Sequence, residues 1–133
     1  MTQTIITVAD NTAILLESTK DWCVDMDNPS YSGYTMIDTK YGRDEVIIGR
    51  SKECTEQVRN GIKDISRVNS YIYSRNGIAY IRDLNSFRGT SVISKDGSEM
   101  RMVRGGAEDI KLKDGDQITI GEDWPLRLDV KVV

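Results

Sequence analysis

Apolar and polar positions alternate along most of this chain, and the runs they form are short. The clearest is the last, where Leu126, Leu128, Val130 and Val132 alternate with Arg127, Asp129 and Lys131. A period of two is that of a strand with one buried and one wet face. Strands are also predicted over Ile5–Val8, Ala13–Leu16, Tyr34–Ile37, Glu45–Gly49, Asn69–Ser74, Ile78–Leu84, Ser91–Ser94, Glu99–Val103, Asp109–Leu112 and Gln117–Ile120. Asn76-Gly77 marks a tight hairpin, because both central residues must accept positive φ. Lys95-Asp96-Gly97 marks a second hairpin, and Lys113-Asp114-Gly115 a further turn. Ser18–Gly33 reads as a long exposed loop, and Ser51–Gly61 as a polar connection in which Cys54–Arg59 has the option of one helical turn. About ten to eleven short strands with regular turn signals and no amphipathic helix predict an all-β chain folded as an antiparallel β-sandwich.

A length of 133 residues supports one packed core without metal or disulfide, so residues 1–133 are expected to form a single domain. Within it, residues 1–39 carry one lysine against six carboxylates, a net −5 that leaves +2 for the rest of a chain of −3. Residues 1–42 therefore read as an acidic elaboration on a mildly basic part that starts at residue 46. A pI near 5.0 argues against nucleic acid as a partner, since that binding is driven by phosphate neutralisation. The chain has no histidine, hence neither the commonest general base nor the commonest metal ligand. Cys23 and Cys54 lack zinc-type spacing and read as free buried thiols, which places the chain in a reducing intracellular compartment. There is no nucleophile–base pair, metal cluster, phosphate loop or nucleotide fingerprint, so neither enzyme activity nor a cofactor is expected. No apolar run approaches the ~20 residues that span a bilayer, and Met1–Asp10 lacks the basic and apolar regions of a leader, so no membrane partner is expected.

The positive residues that stand out flank the Asn76-Gly77 hairpin. Gly49-Arg50 ends one predicted strand, Ser66-Arg67 precedes the next, and Arg88 follows the hairpin. Guanidinium groups suit a doubly charged oxyanion, because their planar fork donates two parallel hydrogen bonds and never loses its charge.

In order and spacing, Gly49-Arg50, Ser66-Arg67-Val68-Asn69, Asp83-Leu84 with Gly89-Thr90, Gly115-Asp116 and Ile120-Gly121 resemble the signature of the forkhead-associated (FHA) domain, over residues 46–133. The resemblance implies a β-sandwich that binds phosphothreonine peptides. It implies phosphate contacts from Arg50, Ser66 and Arg67, and loop support from Gly49, Asn69, Gly89 and Thr90. Two positions depart from the family pattern: Asn69 stands where histidine is usual, and Arg88 where asparagine is usual. Asparagine both donates and accepts, whereas arginine only donates. If the site is live, Arg88 is expected to turn toward the phosphate beside Arg50 and Arg67; the alternative is that Arg88 pairs with a local acid and the peptide site has degenerated. Phe87 is bulkier than the usual serine or threonine and would crowd a threonine methyl.

Two functions remain open on the sequence. One is a non-catalytic module that reads a Thr-phosphorylated protein or peptide. The other is a phosphate-independent scaffold or oligomerisation domain with a degenerate site, docking through a sheet face or edge.

Overall fold

The computed structural model describes residues 3–9, 12, 15–17, 35–41, 44–103, 105 and 108–133. Eleven strands follow in chain order: β1 (Thr4–Val8), β2 (Thr35–Asp38), β3 (Glu45–Gly49), β4 (Glu56–Gln57), β5 (Ser70–Arg75), β6 (Ile78–Asp83), β7 (Thr90–Ile93), β8 (Met100–Val103), β9 (Ile110–Lys111), β10 (Gln117–Ile120) and β11 (Leu126–Val132). They form two sheets, one of six strands in the order β2-β1-β11-β10-β7-β8 and one of five in the order β4-β3-β5-β6-β9. The fold is the expected β-sandwich.

Alternation puts the core between the sheets. In β11, Leu126, Leu128 and Val130 are buried while Arg127, Asp129 and Lys131 are exposed. From the other sheet, Ile48, Ile72 and Ile81 meet Val92, Ile118 and Ile120 in one apolar cluster. Each such side chain contributes about 1.5–3 kcal/mol on burial. The β5–β6 turn has the expected geometry, with Asn76 at φ 54° and Gly77 at φ 79°. The second hairpin differs. Only Gly97 is left-handed there, and its N–H donates to the Ser94 carbonyl, so Lys95-Asp96 forms an ordinary turn before a left-handed glycine.

One expectation needs correction. The sheets are not wholly antiparallel, because β4 runs parallel to β3, pairing Glu56 with Ile48 and Gln57 with Gly49. This strand occupies the stretch where a helical turn was the other option. A two-residue strand is too short to show a period, and its fully buried Glu56 reads as polar surface. Of the predicted strand over Ala13–Leu16, Leu16 makes an isolated bridge with Val58, and Ala13 and Ile14 lie outside the described residues. The predicted loop Ser18–Gly33, with Cys23, also lies outside them.

Candidate functional site

At one end of the sandwich three loops meet: residues 50–55 after β3, residues 58–69 before β5, and residues 84–89 after β6. The 58–69 segment closes by running beside the end of β3. Arg50 N–H donates to the Ser66 carbonyl at 3.1 Å, Ser51 N–H to that of Arg67 at 2.9 Å, and Asn69 N–H to that of Ile48 at 2.9 Å. Gly49 is what allows this approach. A Cβ there would run into the Arg67 carbonyl, so close packing, not a left-handed φ, requires the glycine.

This pairing brings the sequence-predicted residues together. The Arg50 Nε donates to the Ile65 carbonyl at 2.5 Å, which fixes the direction of the guanidinium. Arg50 and Arg67 line one open depression of about 520 Å³ with Ser51, Lys52, Gln57, Asn60 and Glu17. Among the described residues no carboxylate lies within 4.0 Å of Arg50, Lys52 or Arg67, whereas Arg82, Arg88 and Arg101 are all ion-paired. Among the described residues Glu17 is the one acid on the rim, its Oε1 accepting from Asn60 N–H at 3.3 Å. Ser66 Oγ accepts from Phe87 N–H at 2.8 Å, so the hydroxyl proton can point to another acceptor.

Behind the loops stands a buried polar network. Asn69 is fully buried, its Oδ1 accepting from Ser66 N–H at 2.9 Å and its Nδ2 donating to Ser70 Oγ at 2.9 Å. Ser70 Oγ lies 2.7 Å from Thr90 Oγ1, and Thr90 donates to Asp83 Oδ1 at 2.9 Å. Since Thr90 has one proton and spends it on Asp83, the Ser70 hydroxyl must donate to Thr90. Asp83 also accepts from Ser86 N–H and Ser86 Oγ, and Ser86 Oγ in turn accepts from Gly89 N–H at 2.9 Å. The chain of bonds joins β5 and β6 in one sheet to β7 in the other. It ties the 58–69 and 84–89 loops to the sheets from beneath, through Asn69, Gly89 and Thr90 among others. Asp83 and Ser86 were missed as supports, although Asp83 directly precedes Leu84 in the quoted motif. Cys54, free and buried, adds a bond from its thiol to the Arg67 carbonyl at 3.2 Å. Burial pushes that thiol's pKa up, so it stays protonated as a donor.

Arg88 does not join Arg50 and Arg67. Its guanidinium meets Glu122 at 3.0 Å, Asp64 at 3.7 Å and Asp123 at 3.9 Å, and lies 5.1 Å from the centre of the Phe87 ring. Three carboxylates attract it, whereas the like-charged guanidinium groups of Arg50 and Arg67 would repel it. Asp64 also accepts from Glu122 N–H and Trp124 N–H at 2.7 and 2.9 Å, and so staples the 121–125 loop to the 58–69 segment. Gly121 is left-handed at φ 95°, and a Cβ on it would press on the Asp64 carboxylate. Arg88, Asp64 and Glu122 thus tie three loops into one rim, with Phe87 and Trp124 75% and 68% exposed along it.

Comparison with known proteins identifies the family and the fold. The family model of the FHA domain matches residues 46–121. Among solved structures, the FhaA FHA domain complexed with the intracellular domain of Rv3910 is similar at 21% identity and TM-score 0.57, over 96% of this chain and 99% of that one. An FHA domain of an Arabidopsis thaliana hypothetical protein is similar at 26% identity and TM-score 0.53, over 67% of each chain. An FHA domain studied for its phosphothreonine-dependent interactions is similar at 20% identity and TM-score 0.54, over 98% of this chain and 96% of that one. No curated protein matches the sequence. The chain belongs to the FHA domain family.

Proposed function

We propose that this chain is a non-catalytic interaction module that binds phosphothreonine peptides, with the phosphate held by Arg50, Ser66 and Arg67. The observation that carries the reading is the depression in which Arg50, Lys52 and Arg67 gather without a carboxylate partner within 4.0 Å among the described residues. A phosphate supplies the missing negative charge and the acceptors for a guanidinium fork. Ser66 gives its proton to a phosphate oxygen while Phe87 N–H holds its oxygen in place. The ligand is made by a Ser/Thr kinase acting on a partner protein, as in other recognition by arginine clusters. Asn69, Gly49, Gly89 and Thr90 hold the loops, and Arg88 braces the rim instead of touching phosphate. The free thiol of Cys54 fits a reducing, intracellular setting.

The test is a titration with a degenerate threonine peptide library in phosphorylated and unphosphorylated form. Binding of the phosphorylated pool alone supports the reading. Equal binding of both pools, or of neither, favours a phosphate-independent scaffold.

A further inference from the structure

Away from the loops, the outer face of the five-stranded sheet carries an aromatic surface that phosphate recognition does not use. Glu45, Tyr73, Tyr80 and Lys111 are direct cross-strand partners in series on β3, β5, β6 and β9. Cross-strand partners share a face, so these residues form one row with an acid at one end and a lysine at the other. Ile47, Tyr71 and Arg82 form the row beside it, and Arg75 with Ile78 a third. The ring centroids of Tyr71 and Tyr73 stand 5.1 Å apart and those of Tyr73 and Tyr80 5.6 Å apart, both pairs stacked.

Several of the polar tips on this face already satisfy one another. Tyr71 donates to Glu45 at 3.1 Å, Tyr73 donates to Asp109 at 2.7 Å, and Arg82 reaches both Asp109 oxygens at 2.6 and 2.9 Å. Covering the face therefore strands neither the Tyr71 nor the Tyr73 hydroxyl and leaves Arg82 paired, which lowers the usual penalty of desolvating polar groups. What remains to be covered is ring surface, and tyrosine and arginine are among the residues that most often dominate interfaces.

We infer that this face is a self-association surface, covered by the same face of a second copy. The two-fold axis lies in the interface, along the strands between β5 and β6. Such an axis reverses the strand order and sets each row over its own counterpart. Glu45 of one copy then lies over Lys111 of the other, Tyr73 over Tyr80, Tyr71 over Arg82 and Arg75 over Ile78. Every contact occurs twice and no like charges oppose one another, which is the self-complementarity that a two-fold interface demands. A partner of single charge sign would meet repulsion at one end of the central row; a second copy meets none. The phosphate loops lie at the strand ends, off this face, so the dimer presents two binding sites to a target phosphorylated more than once. The inference is independent of the phosphopeptide reading.

Sedimentation velocity of the chain over a range of concentrations tests it. The expected result is a reversible dimer. Glu45→Lys and Lys111→Glu should each weaken dimerisation by about tenfold or more, as close charge pairs do when reversed. The combined variant should return to within about threefold of the original, since the two changes are coupled across the interface. Both are exposed strand positions, so the single variants keep the fold. A chain that stays monomeric, single reversals without effect, or a double reversal as weak as either single would each overturn the inference.

Discussion

The backbone N–H of Phe87 donates to the Ser66 hydroxyl oxygen at 2.8 Å, joining the 84–89 loop to the segment that carries Arg67. The bond occupies the oxygen and leaves the proton for a ligand. Ser66→Ala removes a donor to a charged group, worth about 1.5–3 kcal/mol, so phosphopeptide affinity should fall by roughly tenfold or more. Because the lost internal bond is exposed, the denaturation midpoint should barely move. A large loss of stability with unchanged affinity would make Ser66 a purely structural residue.

The Asn69–Ser70–Thr90–Asp83 chain is buried throughout. Thr90→Val keeps the shape but takes a donor from Asp83 and the acceptor from Ser70. Leaving buried polar groups unpaired costs about 1–3 kcal/mol each, and urea denaturation should show a loss of that size. A change under about 0.5 kcal/mol, typical of surface substitutions, would mean the network does not hold the loops.

Arg88 is set among Asp64, Glu122 and Asp123 and neutralises them, so under the proposed function it acts on a phosphate only from a distance. Arg88→Asn exposes that negative charge. Phosphopeptide affinity at low salt should drop about two- to threefold, and the difference should vanish at high salt, where exposed charges more than about 3 Å apart are screened. A loss of about tenfold or more that persists at high salt, as expected for a lost charged hydrogen bond of about 1.5–3 kcal/mol, would instead return Arg88 to direct phosphate contact.

Asp96 caps the β7–β8 turn, accepting from Ser94 Oγ, Ser98 N–H and Ser98 Oγ. The Ser98 hydroxyl, first among these, lowers its pKa from 3.8 to about 2. A depressed carboxylate pKa means stabilisation that is present above the ordinary value and lost as pH falls toward the folded one. The turn should therefore persist through pH 3.8 and loosen only near pH 2, which the Asp96 carboxyl resonance in an NMR titration will report. A midpoint at the ordinary carboxylate value would mean the serines do not cap it.

Sequence reasoning reached features that are local or periodic. The alternation in β11, the Asn76-Gly77 turn and the order of the loop motifs are all readable along the chain, and they place Arg50, Ser66 and Arg67 at one end of the sandwich. The acids that hold Arg88 are distant in sequence: Glu122 lies 34 positions away, and Asp64 is tied to the 121–125 loop. Nothing in a linear reading distinguishes those acids from solvated ones. The pairing that links Glu45 to Lys111 across four strands is likewise a matter of register, which alternation alone does not set.

The central claim is that Arg50 holds a phosphate. The direct measurement is calorimetric: a library-selected phosphothreonine peptide and its unphosphorylated twin, each titrated into wild type and Arg50→Ala. The account predicts that Arg50→Ala weakens the phosphopeptide by at least about tenfold, as befits charged hydrogen bonds of about 1.5–3 kcal/mol, and leaves the twin unchanged. A phosphopeptide affinity within about twofold of wild type, a difference of only about 0.4 kcal/mol, would contradict it.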